Sequence, residues 1–277
     1  MAVSNYGEGG IPLKAPFPDC PLCHSARHRQ VVTADCSKHP MYSPQLPTQL
    51  IWRQCLECGH IHTADYFTPA GLAILFGKAH KSQVVGGDFD QQRFHWSQVV
   101  QQVVALLPDS RKVYAEELAW LDVGCGNGAL VFTAAEFGFR TRGLDARPQT
   151  IAAIRRLGYE AQQGDFLSIE IESRVDVISM ADLLEHLPDP RASLKKAHDL
   201  LTPDGLIFIS CPNLNCVTWE FLDVQKANPY WVELEHYHNF SRSSLMRLLE
   251  EEGFALASYS VSPRYKACMQ VIARKTS

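Results

Sequence analysis

Apolar residues recur at three- and four-residue spacing from Phe94 through Val99, Val100, Val103 and Val104 to Leu107, and Pro108-Asp109 ends the run. That period predicts an amphipathic helix beginning near Asp90. Strands and helices then alternate. Ala119–Val123 is short and apolar, as a buried strand is, and Ala129–Phe137 reads as a helix closed by Gly138. Arg140–Leu144 predicts a strand, and Thr150 can cap a helix reaching Leu157 and stopping at Gly158. Strands are expected near Glu160–Gln162, at Val175–Met180 and at Leu206–Ser210. A helix over Arg191–Leu201 and a turn at Pro203-Asp-Gly205 lie before the last of these. Ser241 can cap a helix over Arg242–Glu252 closed by Gly253, and Phe254–Val261 and Ala267–Ala273 read as an antiparallel pair.

Repeated alternation of this kind implies an α/β fold, a mostly parallel sheet with helices on both faces. Such sheets bind ligands at the carboxyl ends of their strands, where chain direction switches. The N-terminal part is different. Residues 1–19 are rich in Gly and Pro, Pro40, Pro44 and Pro47 argue against a long helix, and residues 48–54 read as a strand. Gly71, Gly77, Gly86 and Gly87 punctuate a connector. The expected organisation is a small module at 1–68, a connector at 69–89 and the α/β domain at 90–277.

The 277 residues suffice for one medium domain and one small one. Their 26 basic and 30 acidic side chains, net charge −4, form no basic stripe, so nucleic acid is not an evident partner. No apolar stretch approaches the roughly 18 residues of a spanning helix. The first residues lack the basic start and apolar core of a secretory signal, so a cytoplasmic location is expected. Nine cysteines in that reducing compartment read as metal ligands before disulfides.

Two CxxC pairs, Cys20/Cys23 and Cys55/Cys58, offer four thiolates for a tetrahedral structural zinc. The spacer, residues 24–54, is longer than usual, and Cys36, His24, His39 and His60 are spare candidates. A closed site of this kind supplies folding energy to a core-poor segment. The module resembles the N-terminal zinc domain of sugar C-methyltransferases from antibiotic pathways, which carry a further C-terminal domain.

Leu121-Asp122-Val123-Gly124-Cys125-Gly126-Asn127-Gly128 lies at a strand-to-helix junction. Glycines let the backbone bend sharply and approach a ligand, and the helix that follows offers unpaired N–H groups to a carboxylate. The next strand ends at Asp145, where a carboxylate can accept both hydroxyls of a ribose. Nicotinamide enzymes favour G-x-G-x-x-G, whereas the spacing here is G-x-G-x-G. That motif, with Asp145 and Asp165 near the ends of following strands, resembles the class I S-adenosylmethionine-dependent methyltransferases.

The resemblance implies a Rossmann-like sheet of seven strands, and S-adenosylmethionine as cofactor. It implies that Asp122, Gly124, Cys125 and Gly126 surround the methionine part. Asp145 with Ala146 would hold the ribose, Asp165 with Phe166 the adenine, and Met180-Ala181 would border the cofactor. Asp182, Glu185 and His186 resemble a divalent-metal cluster of ubiquinone-type O-methyltransferases.

Methyl transfer is largely a positioning task, and a hydroxyl or carbon acceptor needs a base as well. His186, His236 and His238 are the candidates, since histidine titrates near neutral pH. The segment between the fifth strand and the helix capped by Ser241 is too long for a simple connection and is rich in Trp, Tyr and His. It is the expected cover of the acceptor. The reading is a small-molecule methyltransferase of secondary or cofactor metabolism. An RNA or protein methyltransferase docked by the zinc module, and a non-catalytic cofactor-binding protein, remain as alternatives. The acceptor atom and the oligomeric state are left open.

Overall fold

Many of the strands form where β-branched and aromatic residues cluster, and the long helix of the chain forms where the apolar period lengthens to three and four. The computed structural model describes residues 10–77, 84–109, 117–265 and 267–276. Residues 1–9 of the expected module and 78–83 of the expected connector lie outside the described residues. In chain order the elements begin with β1 (Lys14–Pro16), β2 (His28–Asp35), β3 (Gln49–Cys55), β4 (Ile61–Thr63), β5 (Asp65–Phe67) and α1 (Pro69–Phe76). They continue with α2 (Phe89–Leu106), β6 (Ala119–Val123), α3 (Ala129–Glu136), β7 (Arg140–Asp145), α4 (Pro148–Arg156), β8 (Glu160–Gln163), β9 (Val175–Ala181) and α5 (Pro190–Leu200). The last are β10 (Leu201–Pro212), α6 (Val217–Val224), β11 (His238–Asn239), α7 (Arg242–Glu251), β12 (Phe254–Val261) and β13 (Cys268–Lys275).

These elements divide into two compact units. The first comprises residues 1–81, 185–190 and 212–245, the second residues 82–184, 191–211 and 246–277. The second holds a seven-stranded sheet in the order β12-β13-β10-β9-β6-β7-β8. Pairings β10–β9, β9–β6, β6–β7 and β7–β8 are parallel and β12–β13 is antiparallel. The expected α/β fold with a mostly parallel seven-stranded sheet is therefore present.

The long helix α2 buries Trp96, Val99, Val100 and Val103 against Leu130 and Ala134 of α3 and Trp120, Val177 and Phe208 of the sheet. Each such side chain contributes on the order of 1.5–3 kcal/mol by leaving water. Phe94, which opened the apolar run in sequence, lies off that stripe and is 72% exposed.

Two local expectations shift. Helix α4 starts at Pro148, with Arg147 rather than Thr150 at its boundary, because proline is already suited to a first helical turn. Pro203-Asp-Gly205 is not a free turn. It lies within β10 as an irregularity between Leu201 and Leu206, with Asp204 at φ +61°.

In the first unit β11-β4-β3-β2 form an antiparallel sheet and β1 pairs with β5. Its core joins Leu13, Leu46, Leu50, Trp52, Phe67 and Leu75 from the N-terminal part to Leu234 and Tyr237 from the later segment. Trp52 Nε1 donates to the Trp231 carbonyl at 2.9 Å, and the Tyr237 hydroxyl accepts from Phe67 N–H at 3.2 Å. The segment expected to cover the acceptor thus shares one core with the N-terminal strands. Among the described residues no helix is long and apolar enough to cross a membrane.

Candidate functional site

The turn after β6 is fixed by two bonds from its own neighbours. Gly124 and Cys125 N–H both donate to the Leu144 carbonyl, at 2.8 and 3.0 Å. Gly124 stands at φ +70°, and a Cβ there would lie 2.8 Å from Leu183 Cδ1, so glycine is demanded twice over. Gly126 N–H points to Asp145, donating to Oδ2 at 3.0 Å. The end of β7 and the glycine turn therefore share one carboxylate. Cys125 is buried between them, and burial raises its thiol well above the ordinary range.

Asp122 faces inward. Its Oδ1 accepts from Ser179 Oγ at 2.5 Å, and Ser179 Oγ in turn accepts from Trp120 Nε1 at 2.9 Å. Burial pushes its carboxyl up to about 7. It ties β6 to β9 beneath the turn. Asp165 begins the turn after β8, with Oδ1 accepting from Leu167 N–H, Ser168 N–H and Ser168 Oγ at 2.8–3.1 Å. Phe166 and Met180 are buried, and Ala181 is half-buried at the end of β9. All ten sequence-identified cofactor residues lie in the second unit, at the carboxyl ends of β6, β7, β8 and β9.

Arg147 went unnoticed in the sequence. Its Nε and Nη2 donate to Oδ1 and Oδ2 of Asp145, each at 2.9 Å. The signal was available, since an arginine two residues after the strand-end aspartate can fold back onto it.

The four paired cysteines of the first unit converge. Cys20 Sγ lies 3.6 Å from Cys58 Sγ, Cys23 Sγ lies 3.5 Å from Cys55 Sγ, and all four sulfurs lie within 4.8 Å of one another. A tetrahedron with zinc–sulfur bonds of about 2.3 Å has sulfur–sulfur edges of about 3.8 Å, while a disulfide is about 2.05 Å. The donor set and spacing fit a tetrahedral ion. Each pair sits on the same turn: His24 N–H returns to the Cys20 carbonyl and Gly59 N–H to that of Cys55, with His24 and Gly59 both at positive φ. Three of the four spare candidates are otherwise engaged, and His24 is exposed. Cys36 is buried in the apolar core, its thiol pushed up to about 12 by burial, while His39 pairs with Glu233 and His60 with His238.

Residues 185–187 run against 235–238 in the first unit. Tyr237 N–H donates to the Glu185 carbonyl at 2.8 Å, and His186 Nδ1 lies 2.9 Å from the Glu235 carbonyl. A carbonyl only accepts, so Nδ1 carries a proton and Nε2 is the ring nitrogen left for another partner. The His186 and His236 rings meet edge to face at 4.7 Å, and with Glu185 they bring three donor atoms within 4.8 Å. Burial holds His236 well below the usual histidine range, and its Nδ1 is buried with no hydrogen-bond partner.

The expected third member of that cluster, Asp182, lies in the second unit, bonded to Ser210 Oγ at 2.7 Å and Arg264 Nη1 at 3.2 Å. His238 is committed on both sides, with Nε2 2.9 Å from the Leu187 carbonyl and Nδ1 3.1 Å from His60 Nε2. Its ring is fully buried and has no lone pair left for an acceptor's proton, against the expectation of a base there.

Residues 89–259, well over half of the chain, match the family model described as a methyltransferase domain. The chain belongs to this methyltransferase family. A ubiquinone biosynthesis O-methyltransferase of Idiomarina loihiensis is 37% identical over 107 residues, 36% of this chain and 44% of that protein. The chain thus spans less than half the length of the curated relatives it matches. Among solved structures, magnesium protoporphyrin IX methyltransferase of Synechocystis PCC 6803, with bound SAH, superposes with TM-score 0.54 at 16% identity. That match covers 76% of this chain and 100% of the other. The CcbJ methyltransferase of Streptomyces caelestis gives TM-score 0.51 at 15% identity over 66% and 90% of the two chains. Both likenesses are in fold.

Proposed function

We propose that this methyltransferase-family protein transfers the methyl group of S-adenosylmethionine to a small-molecule acceptor. The observation that carries the reading is the Asp145 carboxylate facing the Gly124–Gly128 turn, joined to Gly126 N–H at 3.0 Å. That pairing places a charged acceptor for a ribose diol beside a glycine-rich turn. In this reading Gly124, Cys125 and Gly126 line the methionine part, with Asp122 shaping the turn from below. Asp145 and Ala146 take the ribose, Asp165 and Phe166 the adenine, and Met180 and Ala181 the remaining wall.

The first unit handles the acceptor and is organised by zinc on Cys20, Cys23, Cys55 and Cys58. β3 ends on Cys55, β4 follows Cys58, and β11 pairs with β4 through His238–His62 and Asn239–Ile61. The metal thereby steadies the strand next to His236. His186, whose Nε2 is the ring nitrogen left for another partner, is the proposed base for a hydroxyl acceptor. The two imidazoles and Glu185 also form a donor set fit for a divalent cation, which would lower the pKa of a bound hydroxyl. The net charge of −4 suits a small acceptor better than a polyanion.

Calorimetric titration with S-adenosylhomocysteine tests the cofactor reading. Wild type should bind, and Asp145→Ala should lose about 1–3 kcal/mol, the worth of a charged acceptor for two hydroxyls. Equal affinity in the two proteins would remove Asp145 from the site.

A further inference from the structure

A carboxylate offers about four lone-pair positions. In this structure four N–H groups fill those of Asp145. Oδ1 accepts from Arg147 N–H and Arg147 Nε, both at 2.9 Å. Oδ2 accepts from Gly126 N–H at 3.0 Å and Arg147 Nη2 at 2.9 Å. A ribose diol brings two more donors, so two of the four must leave. The Gly126 and Arg147 amides are fixed, the first by the glycine turn. The second is restrained by Pro148, which confines the residue before it to the extended region, and Arg147 sits there at φ −87°, ψ 114°. Only the guanidinium can move. The Arg147 side chain is 21% exposed, so a path to water exists.

We propose that Arg147 is a latch on the ribose position: its guanidinium holds the two oxygens that the cofactor's diol takes, and the diol enters by exchange against it. The inference rests on the reading of Asp145 as the ribose acceptor. A second measurement agrees with it. Arg147 Nη2 lies 3.9 Å from where a Cβ on Gly126 would be, so the guanidinium covers the glycine turn that the cofactor must reach. Arginine stays charged at any working pH, so the latch is set at all of them. The exchange swaps one set of donors for another on the same carboxylate, and the cofactor's net affinity is the difference.

A bland ion pair predicts the opposite sign. If Arg147 merely orients Asp145, its loss leaves the carboxylate less well placed and the cofactor binds more weakly. If it is a latch, its loss removes a competitor and the cofactor binds more tightly. The gain expected from removing a partly exposed ion pair is about two- to fivefold in affinity.

The test is calorimetric titration of the full-length chain with S-adenosylhomocysteine, as wild type, Arg147→Ala and Arg147→Lys. Thermal melts confirm that each is folded, and Arg147→Gln serves should Arg147→Ala fail to fold. Arg147→Ala should bind about two- to fivefold more tightly, and Arg147→Lys, with its single charged head, should gain less. Titration with 2′,3′-dideoxyadenosine, which lacks the diol, should not improve in Arg147→Ala. Equal or weaker binding of S-adenosylhomocysteine by a folded Arg147→Ala, with wild type binding, overturns the latch alone. No binding by either protein overturns the cofactor reading and the latch with it.

Discussion

His60 Nε2 lies 3.1 Å from His238 Nδ1, and both rings are buried almost completely. The protonation of the pair follows from geometry. His238 Nε2 faces the Leu187 carbonyl at 2.9 Å and must carry a proton there, so Nδ1 is the acceptor and His60 Nε2 the donor. The two rings stack at 5.3 Å and lie beside Phe240. This is a buried, hydrogen-bonded pair of imidazoles within the first unit.

Replacing His238 by Ala should therefore act on folding. The change opens a cavity and strands the His60 donor and the Leu187 carbonyl, at about 2–4 kcal/mol in all. Chemical denaturation should show the loss, while S-adenosylhomocysteine affinity stays at the wild-type value. A variant as stable as wild type but slow in turnover would return His238 to the catalytic residues.

Acid should loosen the same region. Burial lowers His62 to about 4 and His238 to about 3, against an ordinary 6.5. Both stay neutral in the folded chain while the unfolded chain takes up protons below pH 6.5. The stability they contribute is complete above that pH and falls as pH drops toward 4 and then 3. Each group costs about 1 kcal/mol per pH unit within its window. Urea midpoints should thus decline between pH 6 and 4.5, and His62→Gln should flatten the decline. An unchanged slope in the variant would mean that His62 titrates as in water.

Much of the second unit is legible in the sequence, because its period is local. Val99, Val100 and Val103 mark the buried face of α2 directly, and the glycine turn announces the end of β6. The Asp145 position follows from the strand that precedes it. The first unit is harder to read. Its sheet pairs His238 with His62, and its core joins Trp52 to Trp231, contacts that no local period encodes. Residues 212–245 therefore look, in sequence, like an insertion of the α/β domain. The short strands β4, β5 and β11 are too brief to show alternation. Arg147 illustrates a different loss. Its identity was visible, but its fold-back onto Asp145 depends on the extended backbone set by Pro148.

Metal removal should separate the two units functionally. One zinc per chain is expected by elemental analysis, lost in Cys20→Ser, because three thiolates hold the ion far less well than four. The cofactor residues all lie in the second unit, and the cysteines in the first. Cys20→Ser, or a strong chelator, should therefore impair methyl transfer far more than S-adenosylhomocysteine binding. Zinc-free protein of full activity would dismiss the site.

The last prediction concerns the two histidines that meet at 4.7 Å. His186 Nε2 is the ring nitrogen left for another partner, because Nδ1 is bonded to the Glu235 carbonyl at 2.9 Å. His236 is neutral, held below the usual range by burial, and is a poorer base but a good hydrogen-bond acceptor or ligand. The roles should separate by size. Loss of a general base costs on the order of 10²–10⁴-fold in turnover, so His186→Ala should fall in that range. His236→Ala should lose about tenfold, the worth of one positioning contact. Both should bind S-adenosylhomocysteine as wild type does, since neither belongs to the glycine-turn unit. Single-turnover methyl transfer, measured beside cofactor affinity for each variant, decides the matter. His186→Ala turning over faster than His236→Ala would reverse the assignment and make the buried ring the reactive one.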